Sequence, residues 1–85
     1  MIFQVLYDPN AEKQLDKLPR DIAKRIIKKM REVGETGHGI ETLKDEKYKY
    51  KVRVGDYRIL IDITYNPNTV WVRYIDHRGR IYKNL

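Results

Sequence analysis

Lys47-Tyr48-Lys49-Tyr50-Lys51-Val52-Arg53-Val54-Gly55-Asp56-Tyr57-Arg58-Ile59-Leu60-Ile61 alternates residue class almost step by step, and that alternation decides how the chain folds. Side chains of a strand point to opposite faces in turn. Tyr48, Tyr50, Val52 and Val54 therefore share one face, and Lys47, Lys49, Lys51 and Arg53 share the other. Gly55-Asp56 separates this run from a second one over residues 57–64. The dipeptide suits a two-residue hairpin loop with Gly at the first central position, as a type II′ turn requires. The expected register sets Val54 opposite Tyr57 and Arg53 opposite Arg58, so Arg58 joins the cationic face. Like charges directly opposed across a hairpin destabilise it. An anion, a phosphate backbone above all, is the expected compensation. Tyr48, Tyr50 and Tyr57 fall with Val52, Val54, Ile59 and Ile61 and are read as core.

Working outward, residues 2–7 are rich in Ile, Phe, Val and Tyr and predict a strand. Asp8-Pro9 offers an N-cap followed by Pro at the first helical position. Ala11, Leu15 and Leu18 then recur at helical spacing, which predicts a short amphipathic helix over 9–18. Pro19 ends it and opens a second helix. There Ile22, Ala23, Ile26, Ile27, Met30 and Val33 form the apolar side, Lys24, Arg25, Lys28, Lys29 and Arg31 the wet side, and Gly34 the expected stop. Residues 34–43 read as a loop, and their glycines have neither Rossmann nor P-loop spacing. Asn66-Pro67-Asn68 marks a turn before a strand over Thr69 to Asp76, and a short strand over Arg80 to Lys83 can close the chain. The order is β-α-α-β-β-β, with that last strand optional. The expected architecture is α+β: two helices forming an N-terminal hairpin on the apolar face of a twisted antiparallel sheet of about four strands.

The chain has 85 residues, which is one domain over 1–85, and a chain of this size buries only about 60% of its unfolded surface. With 41% apolar residues, many of them β-branched or aromatic, the composition is that of a globular protein. There is no Cys, which excludes a disulfide framework and any thiolate chemistry. No 18-residue apolar run or signal-like N-terminus is present, so neither a membrane span nor export is expected, and the cytoplasm is the natural setting. A net charge of +6 favours polyanionic partners. The cations concentrate in two places: Lys44, Lys47, Lys49, Lys51, Arg53 and Arg58 in and before the hairpin, and Arg73, Arg78, Arg80 and Lys83 near the C-terminus.

The helix pair, the hairpin Tyr50-Lys51-Val52-Arg53-Val54-Gly55-Asp56-Tyr57-Arg58-Ile59 and the terminal His77-Arg78-Gly79-Arg80-Ile81-Tyr82 together resemble the RelE/ParE superfamily of toxins from toxin-antitoxin pairs. The resemblance spans essentially the whole chain. The hairpin is shared with gyrase-directed ParE members, whereas the terminal Arg and Tyr with the strand lysines look like the RelE branch of ribosome-dependent messenger RNA endonucleases. On that likeness Lys49, Lys51, Arg58, Arg78 and Tyr82 form the active site. Lys47, Arg53, His77 and Arg80 stand beside them as candidate RNA contacts. The resemblance also implies a RelB-like antitoxin as partner in a hetero-oligomer, the ribosome and messenger RNA as targets, and no metal or cofactor.

The residues support this chemistry on separate grounds. Cleavage of RNA by its own 2′-hydroxyl needs a proton acceptor, stabilisation of the pentacovalent phosphorane and a proton donor for the leaving 5′ oxygen. No paired-His or paired-carboxylate arrangement is evident. A basic cluster can fill these roles, because neighbouring cations favour the deprotonated form of an amine or phenol. Arginines such as Arg58 and Arg78 suit phosphate oxygens bidentately. Spacing alone leaves open whether Lys49 and Lys51 are site residues or solvated cations, and whether Lys49 pairs with Asp62 across the hairpin. It equally leaves His77 a plain surface residue or an RNA contact, and the face that Trp71 takes open. A gyrase-inhibiting toxin without nuclease chemistry and a non-catalytic RNA-binding homologue are the alternative functions.

Overall fold

A computed structural model describes residues 2–44 and 47–77. The expected strand over 80–83, with Arg78, Arg80 and Tyr82, lies outside the described residues. The elements follow the expected order with one addition: β1 (Gln4–Tyr7), α1 (Pro9–Lys17), α2 (Arg20–Thr36), β2 (Ile40–Thr42), β3 (Tyr50–Val54), β4 (Tyr57–Thr64) and β5 (Thr69–His77). They form an α+β fold in which two helices cover one face of a five-stranded sheet of order β1-β5-β4-β3-β2. Three of the four pairings are antiparallel. The fourth, β1 against β5, is parallel and gives the sheet its mixed character.

The hairpin forms in the expected register, with Val54 opposite Tyr57 and Arg53 opposite Arg58. Gly55 turns it with φ of 57°, in the left-handed region that Gly enters without steric cost. Two local expectations change. β3 begins at Tyr50 rather than Lys47, and part of the glycine-rich segment becomes β2, because Ile40 to Thr42 can pair with Val52 to Tyr50 along the open edge of β3.

The helix ends differ too. Asp8 stands at the N-cap position of α1 with extended backbone, yet its carboxylate makes no cap bond to the helix. It accepts from Arg73 at 2.7 Å instead. Leu18 takes an extended conformation before Pro19, as the residue preceding a proline prefers. α2 runs past Gly34 and stops at Gly37, whose φ of 74° and N–H bond to the Val33 carbonyl close the helix. Gly34 has another task. Its carbonyl accepts the N–H groups of Ile2 and Phe3, both at 2.9 Å, and a Cβ there would stand 2.9 Å from the Phe3 carbonyl oxygen. The glycine lets β1 enter against the helix.

Ala11, Ile26, Met30 and Val33 from the helices pack on Val52, Val54, Ile59, Ile61, Val70, Val72 and Ile75 from the sheet. Burying these side chains, each worth about 1.5–3 kcal/mol relative to exposure, holds the two layers together. Between β4 and β5 the register slips: Leu60 pairs with Tyr74 but Ile61 pairs with Val72, so Arg73 is the extra residue of a β-bulge. The bulge lets Val72 and Ile75 both face the core although they are three residues apart. It also settles the side of Trp71, which pairs with Asp62 on the face away from the helices. Among the described residues no helix is long and apolar enough to cross a membrane.

Candidate functional site

The face of the sheet away from the helices carries the candidate site. Strand parity places Lys51 and Arg53 there from β3, Arg58 and Leu60 from β4, and Tyr74 and Asp76 from β5. Two rows cross the strands: Lys51, Leu60 and Tyr74 in one, Arg53, Arg58 and Asp76 in the other. Leu60 is only 7% exposed although it lies outside the main core, so the centre of this face is an apolar spot ringed by charge. Lys49 is exposed one residue before β3, and its carbonyl accepts the Leu43 N–H at 2.8 Å. Lys47 is exposed farther out, with its ammonium 5.6 Å from the centre of the Tyr48 ring. The Lys49 to Asp62 ion pair does not form, because Asp62 accepts from Arg73.

The opposed arginines find carboxylates within the protein. Arg58 Nη2 donates to Asp76 Oδ2 at 2.6 Å, with the two side chains 31% and 15% exposed. Arg53 Nε lies 3.8 Å from Glu41 on the other flank. The sequence Glu41, Arg53, Arg58, Asp76 thus reads minus, plus, plus, minus across four strands. This arrangement offsets the repulsion that sequence reasoning assigned to an external anion. The two pairs are unequal: the Arg53 pair is long and exposed, which makes it weak, whereas the Arg58 pair is short and partly buried. Arg58 Nε is itself buried and has no hydrogen-bond partner among the described residues.

A second ionic cluster stands farther along the same face. Arg73, at the bulge, donates to Asp62 at 2.8 Å and to Asp8 at 2.7 Å, and its guanidinium lies 5.0 Å from the centre of the Trp71 ring. The Asp62 hydrogen bond, with a smaller contribution from Asp8, holds the Arg73 guanidinium above its ordinary pKa. Trp71 donates to Thr64 Oγ1 at 3.0 Å.

His77 occupies the other side of the sheet. It pairs with Tyr57 across β4 and β5, and the two rings stack with centroids 4.6 Å apart. The structure therefore brings Lys51, Arg53 and Arg58 together, places Lys49 at the border and sets His77 around the edge of β5. Asp76, Glu41 and Tyr74 are the neighbours that sequence reasoning missed. Asp76 was within reach had the β4 to β5 register been readable, but the bulge hides it.

Residues 5–82 match the family model described as ParE toxin of type II toxin-antitoxin system, parDE. The toxin-antitoxin complex RelBE2 from Mycobacterium tuberculosis is 25% identical with a TM-score of 0.79, over 92% of this chain and 100% of that chain. The RelB-RelE antitoxin-toxin complex from Methanococcus jannaschii is 29% identical with a TM-score of 0.67, over 94% of this chain and 98% of that one. A mutant of the E. coli toxin RelE in the free state shares the fold at 24% identity and a TM-score of 0.73, over 98% of this chain and 93% of that chain. No curated protein matches the sequence.

Proposed function

The chain belongs to the ParE toxin family of type II toxin-antitoxin systems, and from that premise we propose that it is a cytoplasmic, ribosome-dependent endoribonuclease that inhibits translation by cleaving messenger RNA in the decoding site. The observation that carries this reading is the gathering of Lys51, Arg53 and Arg58 on one open sheet face, with Lys49 at its border. Such a face draws in a polyanion and offers donors to a phosphorane. Arg58 holds the scissile phosphate through its planar fork. The RNA 2′-hydroxyl attacks the phosphorus, its proton passing to a strand lysine, Lys49 or Lys51. As the new 2′-oxygen bond forms the bond to the 5′ oxygen breaks, leaving a cyclic phosphate and a 5′-hydroxyl whose proton comes from Tyr82 or from the other strand lysine. Arg78 and Tyr82 belong to this site by family resemblance, as phosphate donor and as base-stacking or proton-transferring group. The step needs no metal.

Two of the similar structures hold a toxin with its antitoxin. A RelB-like antitoxin is accordingly the proposed partner of this chain, in a hetero-oligomer, carrying acidic or bulky groups that keep RNA from the cationic face.

A second reading has its own support. The matching family model describes ParE toxins, and the Arg58 to Asp76 pair shows that this cation is already compensated. On that reading the toxin inhibits gyrase and cuts no RNA. Reconstituted translation separates the two. Message cut at codons only when ribosomes are present supports the endonuclease; intact message together with lost supercoiling activity of gyrase overturns it.

A further inference from the structure

β1 stops pairing with β5 at Val72, so among the described residues no strand pairs along the edge from Arg73 to His77. Gln14 of α1 fills part of it. Its side-chain amide donates to the Ile75 carbonyl and accepts from the Ile75 N–H, both at 2.8 Å, standing in for one residue of a strand. Beyond this plug the edge of β5 and α1 enclose a cleft of about 430 Å³. Gln14, Lys17 and Leu18 line one wall; Tyr74, Asp76 and His77 are on the other. The cleft adjoins the cationic face directly, because Asp76 lines it and also binds Arg58. Its aromatic surface is accessible: Tyr74 is 42% exposed, and His77, stacked on Tyr57, is exposed as well.

We propose that this cleft is a nucleobase subsite, which takes the unpaired base next to the phosphate held by Arg58. The inference rests on the endonuclease reading and deepens it. Tyr74, from the cationic face, and His77, from the helix side, each bring an exposed ring to the cleft on which a flat base can stack, Lys17 supplies charge for the adjoining backbone, and Asp76 and the Gln14 amide border the space where base edges would lie. An extended peptide fits less well. The Gln14 amide has taken the Ile75 backbone groups that an added strand would need.

The test uses the full chain and a fluorescent single-stranded RNA hexamer made uncleavable by 2′-O-methylation, beside the same hexamer carrying one abasic residue. Anisotropy titration should show the wild type preferring the complete hexamer by about tenfold or more. Tyr74→Ala should abolish that preference and Tyr74→Phe should keep it, with thermal melting confirming that both fold. If Tyr74→Ala fails to fold, His77→Ala takes its place with the same expectation. Equal binding of both hexamers by the wild type, or an undiminished preference in Tyr74→Ala, overturns the subsite. So does a Tyr74→Ala variant that keeps the preference and loses affinity for the antitoxin, which would make the cleft a protein-docking surface. Ribosomal cleavage by the wild type, run in parallel, tells failure of the subsite alone from failure of the endonuclease reading.

Discussion

Arg58 and Arg73 project from neighbouring strands of one sheet face, and each meets carboxylates of the same protein, but they are held differently. Arg73 is anchored twice, by Asp62 on β4 and by Asp8 at the end of β1, and it lies over the Trp71 ring. It ties three strands together across the bulge. Among the described residues Arg58 has one carboxylate, Asp76, and it faces a second cation, Arg53. An arginine saturated by two fixed acids is a strut, because a ligand would have to displace both. An arginine with one acid and a like-charged neighbour sits in a positive field that a phosphate can relieve. Both side chains are close to 30% exposed, so the number of carboxylates per guanidinium, not exposure, is what distinguishes the two cations.

The sharpest way to break this comparison is to remove each arginine in turn. Arg58→Ala should lower ribosome-dependent cleavage by about a hundredfold to a thousandfold, the usual loss of a transition-state donor, while the fold survives. Cleavage within a few-fold of wild type would return Arg58 to the structural class. Arg73→Ala should do the reverse. Losing two charged hydrogen bonds should cost about 1–2 kcal/mol, tempered by partial exposure, and denaturant unfolding or a fall in Tm of several degrees reads it.

The carboxylates offer a matched pair with equal change in net charge. Asp76→Asn should release Arg58 and raise affinity for single-stranded RNA severalfold. Asp62→Asn, which loosens Arg73 instead, should lower Tm and leave RNA affinity near that of the wild type apart from the general gain in charge. Equal affinity gains in both would mean that net charge, not the Asp76 contact, controls binding. The smallest expected effect concerns Tyr7, which precedes Asp8 in the Arg73 region. Burial pushes its phenol above the ordinary pKa of about 10, and the nearby Arg31 charge lowers it by less. The folded state therefore keeps the proton that the unfolded state releases, so stability is full below about pH 10 and declines as pH rises toward the folded value. Tyr7→Phe should flatten that decline in alkaline unfolding curves. An unchanged slope would place the alkaline sensitivity elsewhere.

Much of this was legible along the chain. The alternation from Tyr50 to Ile61 set the two faces of the hairpin, Gly55 set its turn, and the Arg53 to Arg58 pairing followed from both. The helical spacing of Ile22, Ile26, Met30 and Val33 determined which side of α2 meets the sheet, with Ile26, Met30 and Val33 fully buried. These signals are local: a side-chain period of two or 3.6 and a turn of fixed length relate residues that are close in sequence. Gly34 shows where local reading ends. As a sequence signal it reads as a helix stop, whereas the approach of Phe3 is what demands a residue without a Cβ there.

The parts of the site that matter most for its charge were decided only by tertiary structure. Asp76 reaches Arg58 because β5 pairs with β4 in a register that a bulge shifts by one residue. Arg73 meets Asp8, and Gln14 meets Ile75, because β1 lies parallel beside β5 and α1 packs where β1 ends, joining residues 65 and 61 positions apart. No periodicity records such contacts. They depend on which distant strand completes the sheet and on where one extra residue enters, and those are settled by packing the whole core at once.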